Sequence, residues 1–184
     1  AFYGRQAYVG HLDTMRHLMR SFKRAGIDLW YTQGFHPKPR IEAPPPVPLG
    51  TAALAEPFDV WLANPMDTEE ILSRLKGTLP EDLEVLGAQL LPKGSKKLSA
   101  TYNACEYLVF LNFAPQAVRG AVESIRSSDE ILVRRERKGR VKDVEIRRYI
   151  KDIAVVTADG SGLHLPDVSE RVAVAMTLYV PGSG

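Results

Sequence analysis

Hydrophobic and polar positions alternate along this chain in two rhythms, and the switches between them mark out its elements. Residues 1–9 alternate with the period of a strand as far as Val9. Leu12, Met15, Leu18, Met19 and Phe22 then recur at helical spacing, which predicts a helix from His11 to about Ala25. Gly26 supplies its stop. Asp28 to Thr32 reads as a short second strand, while Gln33 to Gly50, broken by Pro37, Pro39, Pro44, Pro45, Pro46 and Pro48, cannot be regular throughout. Phe58 to Leu62 alternates as a third strand. Asp67 and Glu70 resemble a capping box, ahead of a helix with Ile71, Leu72 and Leu75 on one face and Gly77 at its end. Leu83 to Leu91 reads as a closing strand. The order β-α-β-β-α-β over residues 1–92 is that of a ferredoxin-like sandwich.

Pro92 to Lys97 is polar and rich in turn formers, which places a boundary there and starts a second unit at residue 96. Tyr107, Val109, Leu111 and Phe113 alternate as a strand, Pro115 suits a first helical turn, and Val118, Val122 and Ile125 share a helix face. Ile131 to Arg137 and Val141 to Tyr149 flank Lys138-Gly139-Arg140, a hairpin signal. Ile153 to Thr157 leads to a second such signal at Asp159-Gly160, and Val172 to Val180 alternates as a final strand. The expected class is therefore α+β, with a ferredoxin-like unit over 1–92 and an incomplete or modified one over 96–184. A closing helix and strand would complete the latter, so the chain reads as a fragment.

Composition narrows the possibilities for function. Of 184 residues, 45% are hydrophobic and 25% charged, the mixture of a folding globular chain. No apolar run approaches the roughly 18 residues that span a bilayer, and the first residues lack the layout of a signal peptide, so a cytoplasmic location is expected. Cys105 is the only cysteine, which excludes an internal disulfide and a thiolate metal cluster and reads as a buried core thiol. The formal charge of +2 hides an asymmetry. Residues 1–40 carry seven Lys/Arg against two Asp/Glu, residues 41–95 three against nine, and residues 96–184 fourteen against eleven. Both cationic ends suit an anionic partner.

Three places carry possible chemistry. His11-Leu12-Asp13 stands at a strand-to-helix junction, where a histidine can serve as general acid or base beside the positive helix end. An isolated histidine is a weak catalytic signal, however, and a local role, with Asp13 offsetting the dipole, accounts for the pair as well. On the following helix Arg16, Arg20 and Lys23 fall at i, i+4 and i+7 and form a cationic stripe. The loop after it, Gln33-Gly34-Phe35-His36-Pro37-Lys38-Pro39-Arg40, combines a flexible glycine, an aromatic ring, a histidine and two cations. Lys38 and Arg40 suit phosphates there, and Phe35 or His36 suits stacking on a base; equally, Phe35 can anchor the loop into the core. The third place is the hairpin in which Arg134, Arg135, Arg137, Lys138, Arg140 and Lys142 face only Glu136 within nine residues. Alternation divides those cations between two faces, and an edge hairpin kept soluble by charge is the simpler explanation. No phosphate loop, dinucleotide fingerprint, metal helix or nucleophile elbow occurs, and His11, His17, His36 and His164 are scattered, so no metal site is expected.

Gly10-His11-Leu12-Asp13-x-Met15-Arg16, then Arg24-Ala25-Gly26, then Tyr31-x-Gln33-Gly34-Phe35-His36-Pro37-Lys38-Pro39 and finally Pro48-Leu49-Gly50 together resemble the radical SAM-associated domain of unknown function. Ala55-Glu56 and Leu79-Pro80 extend the resemblance to residue 80. The chain departs from that pattern at Gly10 and Thr32, where serine is common, and at His36, where asparagine is common. The resemblance implies a cytoplasmic bacterial protein working with a radical-SAM domain or protein. The iron-sulfur cluster and SAM of such a pair belong to the partner, since the Cys-x-x-x-Cys-x-x-Cys motif needs three cysteines.

The leading expectation is a non-catalytic substrate-recognition domain that binds RNA. Its binding residues are His11, Arg16, Arg20, Lys23, Gln33, Gly34, Phe35, His36, Lys38 and Arg40, with residues 33–40 lining a concave surface and His11 and His36 converging on one anion. A metal-independent endoribonuclease using His11 as general base is a second reading, by analogy with tandem ferredoxin-like RNA-processing enzymes. A module docking the radical-SAM domain through its acidic 41–95 segment or proline-rich loop is a third.

Overall fold

The structure, a computed structural model, describes residues 1–156 and 171–180. It is α+β and divides into two compact units, Ala1–Thr101 and Tyr102–Gly184.

In the first unit the expected helix forms as α1, His11–Arg24, burying Thr14, Leu18, Ser21 and Phe22 along one face. Its end is a Schellman motif: Gly26 takes φ +66°, its N–H bonds the Lys23 carbonyl at 3.2 Å, and the Ile27 N–H bonds the Phe22 carbonyl at 3.0 Å. Helix α2, Thr68–Lys76, is capped by the Asp67 carboxylate, which accepts from the Glu69 N–H at 2.8 Å. Only half of the predicted capping box forms, because Glu70 pairs instead with Arg74 one turn on. Phe22, Ile27, Leu29, Ile71 and Leu75 make the core of this unit, and Ile41, Val60 and Leu62 pack against it.

The strands of this unit are shorter than the alternation predicts. Residues 1–9 are no strand: Phe2 alone bridges Ala53 and Leu83, and Gly4–Tyr8 coils as a 3-10 turn. Gly4 has φ +51°, and a Cβ there would meet Asp82 Oδ2 at 2.4 Å. Asp82 also accepts the Arg5 N–H at 2.9 Å, so a contact from 77 residues away overrides local alternation. Nor do the described residues show the parallel first and second strands that a β-α-β order implies. Leu29 bridges Leu62 and Tyr31 bridges Pro39, both antiparallel, while β1 (Ile41–Glu42) pairs antiparallel with β2 (Asp59–Val60). Glu84 still exchanges backbone hydrogen bonds with Ala1, its N–H reaching the Ala1 carbonyl at 2.9 Å, but beyond it residues 85–91 form no ladder with any described residue, and Leu86, Leu90 and Leu91 are exposed.

After the short helix α3, Leu98–Thr101, the second unit follows the sequence pattern more closely. Strands β3 (Ala104–Leu111), β6 (Ile150–Val156) and β7 (Val172–Tyr179) form an antiparallel sheet in the order β3-β7-β6. Helix α4, Pro115–Ser127, lays Val118 and Val122 against Ile153 and Val174. With β3 and β6 each antiparallel to the strand between them, β3-α4-β6 is a split β-α-β unit, compatible with part of a ferredoxin-like fold. Cys105 on β3 is half-buried, short of the fully buried thiol expected. The predicted hairpin is β4 (Leu132–Arg137) with β5 (Arg140–Glu145), turning at Lys138 and Gly139 with φ +53° and +72°. Among the described residues it is not the edge of a larger sheet but a two-stranded ribbon of its own. The Asp159-Gly160 signal lies outside the described residues.

Candidate nucleic-acid interface

The loop at 33–40 is the turn and descending limb of an irregular hairpin. Its stem is held by Thr32 N–H to the Lys38 carbonyl at 2.9 Å, Lys38 N–H to Thr32 Oγ1 at 3.1 Å and Arg40 N–H to the Trp30 carbonyl at 2.9 Å. Gly34 turns the tip at φ +135°. Gln33, Gly34, Phe35, His36 and Lys38 are all exposed, and Phe35 is fully so at 102%. Phe35 therefore does not anchor the loop in the core. The segment projects.

Arg40 has neighbours that its place in the sequence does not reveal. Its guanidinium lies over the Trp61 ring, 4.0 Å from the centroid, and 5.8 Å from the centroid of Trp30. Leu29, Ile41, Val60 and Leu62 face the core, so strand alternation puts Trp30, Arg40 and Trp61 on the opposite side. Both tryptophans of the chain thus stiffen the stem of the hairpin through a cation-π stack. That each alternates with the apolar residues of its own strand was the signal available in the sequence, but it acquires meaning only once 28–32, 38–42 and 59–62 are known to be neighbours.

The helical stripe is exposed as predicted, but its charges are not equivalent. Arg16 is paired with Asp13 at 2.6 Å on an open surface, where such a pair contributes little. No ion pair engages Arg20, Lys23 or Lys38 among the described residues. Arg24 is tied down instead, donating to Ser21 Oγ at 3.1 Å and to the Thr78 carbonyl.

His11 is the first residue of α1 and lines a pocket with Phe2, Ala7, Val9, Thr14, Pro44, Pro45, Val47, Glu56 and Phe58. Its volume is about 20 Å³, room for a water molecule. None of residues 33–40 contributes to that pocket, so the structure does not bring His36, Lys38 or Arg40 to the cavity that His11 lines. Residues 33–38 are exposed along the whole turn. Glu56 faces the same pocket, and burial pushes its carboxyl above the ordinary range, opposed by the amino group of Ala1. His17 is occupied in a small polar network, its Nδ1 lying 3.3 Å from Gln6 Oε1 while Gln6 Nε2 donates to Thr14 Oγ1 at 3.3 Å. No group of three or more His, Cys, Asp or Glu side chains among the described residues is placed to hold a metal ion. No helix among them is long and apolar enough to cross a membrane.

Comparison with known proteins identifies a family. The family described as "Uncharacterized protein conserved in bacteria (DUF2344)" covers residues 3–180. No curated protein and no solved structure matches the chain.

Proposed function

The chain belongs to this bacterial family, and from its own surface we propose that it is a substrate-recognition domain whose exposed hairpin tip binds single-stranded RNA in the service of a radical-SAM partner. The observation that carries the reading is Phe35, wholly exposed at the end of a stem stiffened by Trp30, Arg40 and Trp61. A large ring held in water without packing is a stacking surface, and no acidic residue lies between Leu29 and Ile41 to repel a phosphate. Lys38 follows Phe35 at the tip and supplies charge, while Arg20 and Lys23 offer further cations on α1. Arg40 serves the stem. The radical-SAM partnership is supported by the motif resemblance alone, and the cluster and SAM are assigned to the partner because this chain's single, half-buried Cys105 does not provide the three thiolates required.

The endoribonuclease reading gains less from the geometry, since the pocket beside His11 has no room for a nucleotide and no hydrogen bond engages the histidine ring among the described residues. Fluorescence anisotropy with a labelled oligouridylate tests the proposal. Phe35→Ala is expected to weaken binding by roughly 5-fold to 150-fold with the fold intact, the range of one lost base stack. Undiminished RNA binding would remove the tip from the interface. Loss of co-purification with the radical-SAM protein instead of RNA would identify a protein contact.

A further inference from the structure

The register of the β4–β5 ribbon sorts its charges in a way that alternation within one strand does not reveal. Val133 lies opposite Val144, Arg135 opposite Lys142, and Arg137 opposite Arg140. These six side chains share one face, which holds four cations and no acid. The other face carries Leu132, Arg134, Glu136, Val141, Asp143 and Glu145, with Arg134 facing Asp143 at 3.8 Å. Charge kept only for solubility has no reason to segregate by face, and like charges directly opposite one another destabilise a ladder. Arg135, Arg137, Arg140 and Lys142 are all exposed, and nothing in the ribbon neutralises them.

We propose that this face, formed by Arg135, Arg137, Arg140 and Lys142, is a binding site for the phosphate backbone of single-stranded RNA. Cross-strand neighbours stand about 5 Å apart and alternate residues along a strand about 7 Å apart, so the four cations form a compact rectangle. A row of charge on one side meets one track of phosphates, which a single strand presents; the deep, narrow major groove of duplex RNA does not admit side chains. The face has no aromatic ring and no amide group, so it positions the strand without reading bases.

The ribbon is held at its root, which keeps the face in place. Ile146 N–H bonds the Ile131 carbonyl at 2.9 Å, and the Arg147 guanidinium donates to the carbonyls of Ser128 and Ile150, both at 3.0 Å. The choice of RNA over DNA rests on the reading of the Phe35 tip in the other unit. The phosphate site itself does not, because it stands on the ribbon's register.

The experiment measures anisotropy of a labelled oligouridylate of about 20 nucleotides with the full chain, across roughly 50 to 200 mM salt. The variant Arg135→Gln, Arg137→Gln, Arg140→Gln, Lys142→Gln is expected to reduce the slope of log K against log salt by about 2.8, from four contacts at about 0.7 each. It should also bind roughly 100-fold or more weakly at the lowest salt. Arg134→Gln, on the other face, is expected to leave the slope unchanged. If removal of all four charges unfolds the ribbon, Arg137→Gln with Arg140→Gln beside the turn reads the same effect at half its size. An unchanged slope in these variants, or an equal fall per charge in Arg134→Gln, overturns the site. Equal affinity for oligothymidylate, or displacement of the RNA by poly-glutamate at equal charge, overturns the assignment to RNA. Phe35→Ala changes affinity without changing the salt slope by these four contacts, so failure at the tip and failure at the ribbon are distinguishable.

Discussion

The hairpin that turns at residues 33–38 and the β4–β5 ribbon both present cations to solvent, yet they hold them differently. In the first, Arg40 is withdrawn onto Trp61 and Trp30, and the tip keeps an aromatic ring with only Lys38 beyond it. In the second, no aromatic side chain takes up a charge, and four cations stand together on one face. One hairpin is stiffened by a cation and offers a ring. The other is loaded with cations and offers a field. Counting Lys and Arg along the chain treats the two alike; what separates them is whether an aromatic neighbour is within reach across the sheet.

The largest effect that would sharpen this contrast is expected at the root of the first hairpin. Leu29 is 8% exposed and packs with Phe22, Ile27, Ile71 and Leu75. Leu29→Ala is expected to cost about 2–5 kcal/mol, whereas Val133→Ala on the ribbon, 44% exposed, should change stability by no more than about 0.5 kcal/mol. Urea unfolding followed by tryptophan fluorescence measures the first directly, because both tryptophans belong to the first unit. Circular dichroism follows the second.

Next in size is the tip. Phe35→Ala is expected to lose about 1–3 kcal/mol of RNA binding while stability stays within about 0.5 kcal/mol, a split between function and fold that titration and denaturation together resolve. A comparable loss of stability would mean that the ring is packed after all.

Arg40→Ala breaks the comparison from the other side. Removing its contacts with the two rings is expected to destabilise the first unit by about 1 kcal/mol, with an accompanying shift in tryptophan emission as the indoles become more exposed. Arg40→Lys should recover only part of this, since an ammonium lacks the planar stacking surface.

The smallest effect carries the opposite sign. Arg137→Gln on the ribbon removes a like-charge pair with Arg140 and is expected to stabilise the hairpin by about 0.2–1 kcal/mol, read as slower amide exchange across β4 and β5. The gain should shrink as added salt screens the repulsion. No gain at low salt would show that the paired cations do not oppose one another, and the case for an external anion would weaken accordingly.

What the sequence by itself determined was local. Helix α1, with its glycine stop, the Asp67 cap of α2, helix α4 behind Pro115 and the Lys138-Gly139 turn were all legible, because each depends on residues within a few positions of one another. The α+β class followed from them. Tertiary structure decided the pairings and hence the uses of the charges. Residues 1–9 alternate like a strand but coil at Gly4 against Asp82, and residues 85–91 alternate without finding a ladder, since a strand exists only when a partner supplies its hydrogen bonds. Of the expected binding residues, Arg16, Arg20, Lys23, Gln33, Gly34, Phe35, His36 and Lys38 reach open surface. Arg16 is joined to Asp13, Arg40 to two tryptophans, and His11 lines a cavity that the loop does not touch. A side chain's charge is written in the sequence, but which group neutralises it depends on distances of a few ångströms between segments far apart in the chain. Those distances are set only when the strands have found their partners.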